Sequence, residues 1–524
     1  MIRAAKGEGP MNDWTAGYVS DVDYPYGYSW TLCPSLLSLA LLNQGVNANL
    51  DKPLRYLELG FGQGLSFNIH AAACTGEFWG VDFNPSHAAN AKEMADPAGS
   101  GARIFDLSFA EFAAREDIPE FDVIALHGVW SWISDENRDV IVDLARRKLA
   151  IGGVLYISYN CTPGWSPAMP LRHLMTLHAE MVGPGTQGTI GKIDAALAFT
   201  QKVIDSGAAY FRSNPAVVER LKGITTQDRH YVAHEYFNRD WLPMPFSEVA
   251  KRLGAAKLDF AASANLLAHV DGVCLTKEGQ RLLAEIATPP LRESVRDYIV
   301  NQQFRMDVFV KGPRPLSRLE RLDRLRRQGF VLVTAPEDVP MTLQGSLEVA
   351  LQKAIYEPLL EVLAEDGHAP KSVTQILGHP KWKQQPLETL CECLILLTGA
   401  GHVHPVQQPE IVKSVRSRCG RLNAYLCKRA RDSEQISYLA SPVTGGGILV
   451  NRVQQLFLAS RHAGKTKPAE WAMHVWDILH SQNQCIVKDG KAIETVEDNI
   501  AELTVQAKSF AEKHLALFHA LGIN

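Results

Sequence analysis

The sequence predicts an α/β protein: a mostly parallel, doubly wound sheet with helices on both faces, followed by mainly helical and α+β units. Three observations predict it. Between Leu54 and Asn160 short apolar runs alternate with amphipathic helical stretches, and parallel strands need such helical crossovers. A glycine-rich turn stands where the first run gives way to a helix. At 524 residues the chain exceeds what one core supports, so two to four domains are expected.

In chain order, an aromatic, turn-rich lead-in from Tyr24 to Trp30 precedes a helix over 34–43. Strands are expected at 55–59, 77–83, 102–105, 121–126 and 154–159. Helices are expected between them, over 64–74, 85–95, 109–115 and 135–149. These elements fill a first domain, 1–200. After Gly164 the chain turns helical, with a loop at 183–191 carrying four glycines. A second, helical unit spans 201–312, with a strand candidate at 307–310, and Gly312-Pro-Arg-Pro315 marks its end. The last unit, 313–524, shows a strand at 330–333, helices near 347–364, 372–377 and 387–398, and then Gly401-His-Val-His-Pro405. That order is compatible with winged-helix character. Ser441-Pro-Val-Thr-Gly-Gly-Gly447 is expected to be a loop, and a long helix to close the chain.

Charged residues make up 21% of the chain and hydrophobic ones 46%, with a net charge of −4. This mixture excludes disorder as the main state and gives no global electrostatic reason to bind nucleic acid or an anionic membrane. No run approaches the roughly 18 to 20 apolar residues that span a bilayer, and residues 1–10 resemble no secretory signal. The nine cysteines form no CxxC pair. Neither a disulfide framework nor a metal site is expected, and a reducing, cytoplasmic compartment is.

The most informative stretch is Arg55-Tyr-Leu-Glu58-Leu-Gly60-Phe-Gly62-Gln-Gly64. Glycines allow a tight turn and a close ligand approach, and the helix beyond them presents free N–H groups. The spacing is not the dinucleotide fingerprint, and Glu58 at the strand end would repel a pyrophosphate while suiting a ligand with an amino group. Asp82 closes the second strand, where a carboxylate accepts ribose hydroxyls. Asp106 closes the third, placed to accept from the exocyclic amine of adenine. With Gly60, Gly62, Gly64, Phe83 and Leu107 beside them, these acids line the carboxyl rim, where open α/β sheets bind ligands. A ligand with a ribose, an adenine and an amino-acid end satisfies all three: S-adenosylmethionine. The spacing resembles that of the class I S-adenosylmethionine-dependent methyltransferases, a Rossmann-like fold.

Methyl transfer from a sulfonium is a direct displacement that needs alignment and an electron-rich acceptor. The fourth strand ends Leu126-His127-Gly-Val-Trp130, without the Asn or Asp, prolines and aromatic that adenine methyltransferases carry there. That departure counts against a nucleobase acceptor. Aromatic residues crowd the expected acceptor side: Tyr24, Tyr26, Tyr28, Trp30, Trp130, Trp132, Tyr159 and Trp165. Rings lower the local dielectric and so depress a lysine pKa, although several of these residues read equally well as core. Tyr26, His127 and Tyr159 are the catalytic candidates, with His127 either a base or a strand cap. His230 and His234-Glu235 read as structural, because residue 238 is Asn where H-E-x-x-H needs its second histidine.

Several segments together resemble the bacterial methyltransferases that carry a methyltransferase regulatory domain, a group including the rickettsial protein lysine methyltransferases. They are Tyr24-Pro-Tyr-Gly-Tyr28, Leu57 to His70, Val81-Asp-Phe-Asn-Pro85, Tyr159-Asn160 with Pro163-Gly-Trp165, His234-Glu-Tyr-Phe-Asn238, Gln303 to Gly312 and Ala440 to Gly447. The resemblance implies a cofactor-binding domain, a helical domain for regulation or dimerisation, a C-terminal part with winged-helix character, protein lysine as acceptor and a homodimer. A small-molecule acceptor stays open. So does a cofactor-sensing regulator acting on DNA or protein through the winged-helix part, although the helix at 372–377 carries no basic cluster. The more basic run, Arg314 to Arg327, alternates with leucines and reads as a docking helix with a solvated face.

Overall fold

The computed structural model describes residues 15–523 except Ala16, residues 20–23, Asn49, residues 183–187, Ser346 and Gln384. The first ten residues and most of the loop expected at 183–191 therefore lie outside the described residues.

Seven strands form one sheet: β1 (Leu54–Leu59), β2 (Gly76–Asp82), β3 (Arg103–Asp106), β4 (Phe121–Leu126), β5 (Leu149–Asn160), β6 (Leu258–Ser263) and β7 (Phe304–Lys311). Their order is β3-β2-β1-β4-β5-β7-β6. Pairings among β1 to β5 are parallel, while β7 runs against both β5 and β6. The central strands are buried on both faces, as a helix-covered parallel sheet requires.

The helices are α1 (Pro34–Asn43), α2 (Leu65–Ala73), α3 (Pro85–Ala98), α4 (Phe109–Ala113) and α5 (Asp135–Lys148). The Asn84 side chain accepts the N–H of Ser86 to start α3, with Pro85 at its first position. Ser134 caps α5, whose first turn is acidic and last turn basic, matching the helix dipole. α1, α2 and α3 cover one face with Tyr56, Val123 and Tyr156. α4 and α5 cover the other with Leu57, Ile124 and Leu155.

Between β5 and β6 the chain forms α6 (Met169–Met181), α7 (Thr189–Asp205), α8 (Ala209–Ser213), α9 (Pro215–Thr226), α10 (Arg229–Tyr236) and α11 (Phe246–Gly254). The helices α6 to α10 gather a small core of their own around Leu171, Ile193, Leu197 and Leu221. α11 instead packs Val249 and Leu253 onto the sheet. Between β6 and β7 lie α12 (Asp271–Cys274), α13 (Lys277–Ala284) and α14 (Pro289–Val300). The expected division at residue 200 is corrected here. β6 and β7 belong to the unit expected to be separate, yet they finish the sheet, because β5 needs a partner on its open edge.

The C-terminal third opens with α15 (Arg318–Arg327), β8 (Gly329–Leu332) and a hairpin of β9 (Thr342–Gln344) and β10 (Glu348–Ala350). Then come α16 (Lys353–His368), β11 (Lys371–Ser372), α17 (Val373–Gly378), α18 (Leu387–Gly399) and β12 (Val403–Pro405). β8 lies between β11 and β12, antiparallel to both. α18 holds no Lys or Arg and is buried along most of its length, so it offers no basic face to a DNA groove. α19 (Pro409–Arg429) crosses α2 and α3. There Arg418 donates to the Cys74 carbonyl and Arg421 to the Ala98 carbonyl, both at 2.6 Å. Each guanidinium thus meets the carbonyl end of a helix.

Two expectations change in this third. Ser441 to Gly447 is the tip of a hairpin, β13 (Tyr438–Ser441) and β14 (Gly446–Leu449), rather than a free loop. It packs on α2, so a polar, glycine-rich sequence becomes buried. The closing helices are α20 (Arg452–His462), α21 (Pro468–Ser481), α22 (Val496–Ser509) and α23 (Leu515–Ala520). A wider helical turn at Phe510–His514 separates the last two.

Candidate functional site

A cleft of about 290 Å³ opens at the carboxyl ends of β1, β2 and β4. The turn after β1 builds its floor. Gly60 sits at φ +72°, and a Cβ there would meet Val129 at 2.6 Å, so glycine is required twice over. The N–H of Gly62 donates to Asp82 Oδ2 at 2.8 Å, tying the turn to the next strand.

Glu58 lines the cleft and is 3% exposed. The Tyr56 phenol donates to its Oε2 at 3.3 Å. Burial pushes the Glu58 carboxyl up to about 8, with the phenol acting slightly the other way. Asp82 is also buried; its Oδ1 accepts the N–H of Asn84 at 3.0 Å and faces His87 Nδ1 at 3.1 Å. Much of the accepting capacity foreseen for two ribose hydroxyls thus holds the protein's own backbone, and lone-pair room is left for one. Phe83, Phe109 and Val129 supply apolar walls, and Ser108, Asn137 and Asp240 polar ones.

His127 lines the same cleft. Its Nδ1 lies 2.8 Å from the Tyr156 hydroxyl and 3.3 Å from the hydroxyls of Ser29 and Ser158. Burial pushes the imidazole down to about 4, so it is neutral at physiological pH and a weak proton acceptor. It is held by side chains rather than by the backbone cap that was the other expectation.

The lead-in closes one side. Gln63 donates to the Tyr24 carbonyl at 2.9 Å, and Ser66 accepts the Ser29 N–H at 2.8 Å. Tyr24 faces the cleft and also packs against His234 of α10, ring centroids 5.0 Å apart. Tyr28 accepts the Gly447 N–H at 2.6 Å under the β13–β14 hairpin. Glu235, beside His234, bears on the Tyr18 and Tyr24 phenols and is itself pushed up to about 7 by burial.

Of the residues expected at the site, Glu58, Gly60, Gly62, Asp82, Phe83 and His127 come together around this cleft. Five stand elsewhere. Gly64 (φ +78°) serves helix packing, its Cβ position being 2.6 Å from Ala91 of α3. Asp106 ends edge strand β3 with its side chain exposed, and Leu107 packs toward the sheet's second core. Ser108 and Phe109, the next residues, reach the cleft instead. Tyr26 turns to α19, where Arg429 donates to its hydroxyl at 3.1 Å. Tyr159 is buried and donates to Asp307 at 2.7 Å, on the face of β5 away from Tyr156 and His127. Of the other aromatics, Tyr24, Tyr28 and Trp132 line the cleft, while Trp130 is core and Trp30 stacks on His404. Sequence reasoning missed His87, though its place one turn after the Asn84 cap was a usable signal. It also missed Asp240, which carries no local signal.

The strand order, its single antiparallel member and the acid-flanked turn at the carboxyl rim define a class I methyltransferase fold. The solved structure of PKMT2 from Rickettsia typhi, in complex with AdoHcy, shares it: TM-score 0.68 at 20% identity, over 94% of this chain and all of that one. A model described as "Predicted methyltransferase regulatory domain" matches residues 228–311. An uncharacterized protein of Synechocystis is 38% identical over 515 residues, 98% of this chain and the whole of the relative. A second uncharacterized protein, from Rickettsia prowazekii, is 26% identical over 60% of this chain and 56% of its own length. The chain belongs to the family of the Synechocystis protein, and the regulatory-domain model matches one segment of it. That segment holds α10, α11, β6 and β7, so its strands are part of the seven-stranded sheet.

Proposed function

We propose that the cleft binds S-adenosylmethionine and that the protein methylates the side-chain amine of a protein lysine. Glu58 carries the reading. A carboxylate this buried, with one phenol as its hydrogen-bond partner among the described residues, is costly unless a cation meets it. The cofactor's amino group is such a cation. Asp82 has room for a ribose hydroxyl, and Phe83 and Phe109 flank space for the adenine. When bound, the cofactor supplies a methyl carbon on a sulfonium, so the S–CH3 bond breaks as an N–CH3 bond forms.

The chain's own residues prepare the amine. Tyr24, Tyr28 and Trp132 make an apolar approach that favours its neutral form, while Asp240 draws the ammonium inward. His127 stays neutral and shapes the wall. Glu235, near neutral in its proton affinity, suits the role of proton acceptor beside the cleft. Nine unpaired thiols support a cytoplasmic setting, and no helix among the described residues is long and apolar enough to cross a membrane. Incubating lysate with the protein and methyl-labelled cofactor, followed by mass spectrometry, is expected to place label on lysines. Label confined to small molecules overturns the acceptor.

A further inference from the structure

A cavity of about 1140 Å³ lies apart from the carboxyl-rim cleft. It lies where the C-terminal third meets α1 and the segment leading into β1, at the amino end of the sheet. A six-residue strand spans roughly 20 Å, so the cavity and the carboxyl-rim cleft are separate places. Six cations line it, Arg324, Arg326, Arg327, Lys371, Lys413 and Arg416, against one acid, Asp51. This concentration stands on a chain whose net charge is −4.

Ordinary structural duties account for only part of that charge. Arg327 pairs with Asp323 and Lys371 with Asp366, while Arg324, Arg326, Lys413 and Arg416 form no ion pair among the described residues. The arginines at the end of α15 complement its dipole. Lys413 and Arg416 have no such reason, since they sit in the first half of α19, one turn apart on the side facing the cavity. Leu42, Val46, Val412 and Val443 make an apolar floor between the charges, and among the described residues no aromatic ring lines the cavity. Single-stranded nucleic acid is held by bases stacked on such rings, whereas a peptide with acidic and aliphatic side chains matches both rim and floor.

We propose that this cavity is a docking site for an acidic, aliphatic-bearing peptide segment of a partner protein. The inference is independent of the methyl-transfer reading. The test is fluorescence anisotropy of the full chain with a labelled dodecapeptide alternating glutamate and leucine, with its glutamine counterpart, and with an oligonucleotide of equal charge. The glutamate peptide is expected to bind, about tenfold more weakly when salt is raised and at least about tenfold more weakly to the Lys413→Glu, Arg416→Glu double variant. Unchanged thermal unfolding certifies that variant; should it unfold, Arg326→Gln at an exposed position replaces it, with a smaller loss expected. No binding by the intact chain, equal binding to the variant, or equal binding of the glutamine peptide overturns the proposal. Tighter binding of the oligonucleotide overturns the assignment of a peptide.

Discussion

The helical insert and the C-terminal third are both additions to one sheet, and they are joined to it differently. Helices α6 to α10 bury Leu171, Ile193, Leu197 and Leu221 among themselves. Among the described residues the C-terminal third has no such separate interior: its Leu422, Leu426, Ile448 and Phe518 belong to one continuous core with Tyr56, Phe67 and Val123 of the sheet side. An addition with its own core can loosen without the sheet, while one that shares the core cannot. The lead-in touches both, Tyr24 resting on α10 and Tyr26 and Tyr28 on the C-terminal third.

The largest expected effect comes from ending the chain at Gly312. This strips the cover from α2 and α3, and the product is expected to be insoluble or molten by circular dichroism. A cooperatively unfolding fragment would break the comparison. Next, Leu422→Ala in the shared core should cost about 2–5 kcal/mol in global denaturant unfolding. Leu221→Ala in the insert should mainly raise hydrogen exchange within α6 to α10, leaving the sheet amides protected.

The cleft at the carboxyl rim gives a third test. Glu58→Gln is expected to weaken S-adenosylmethionine binding about 10–100-fold by calorimetry. The same change should raise the Tm of the ligand-free protein at pH 8. The Glu58 carboxyl is raised in the folded state, so its contribution to stability is full below its ordinary value and is lost as pH climbs to about 8; glutamine removes that loss. By the same linkage, wild-type affinity should fall as pH drops below about 8, since binding the amino group then requires Glu58 to release its proton. The smallest effect is expected of Tyr26→Phe, which deletes a contact with α19: about 0.5–1 kcal/mol of stability, with kcat unchanged.

The glycine turn, Glu58 and Asp82 were legible in the sequence because they follow local rules of strand ends, turns and helix starts. β1 to β5 and their helices were legible for the same reason, and β4 falls where expected, at Phe121–Leu126. The placement of β7 was not, since pairing across the chain leaves no local mark, and the strand candidate at 307–310 was assigned to a separate unit. Tyr159 shows a second limit. β5 is buried on both faces, so alternation does not reveal which face serves the cleft; Tyr156 and Ser158 point to His127, and Tyr159 to Asp307. Tyr26 was misread because an aromatic cluster looks the same in sequence whether it lines a cleft or fastens a helix.

The antiparallel fit of β7 beside β5 also has a bearing on synthesis. A ribosome that has released the first 165 residues has delivered five strands, but the twelve-residue β5 then ends the array with its bonding groups open along one side. The strand that covers them is not made until residues 304–311, after every helix of the insert has emerged. During that interval the nascent chain presents a sticky border to its neighbours, and helices emerging early enough to shield it would speed productive folding without adding any contact to the finished protein.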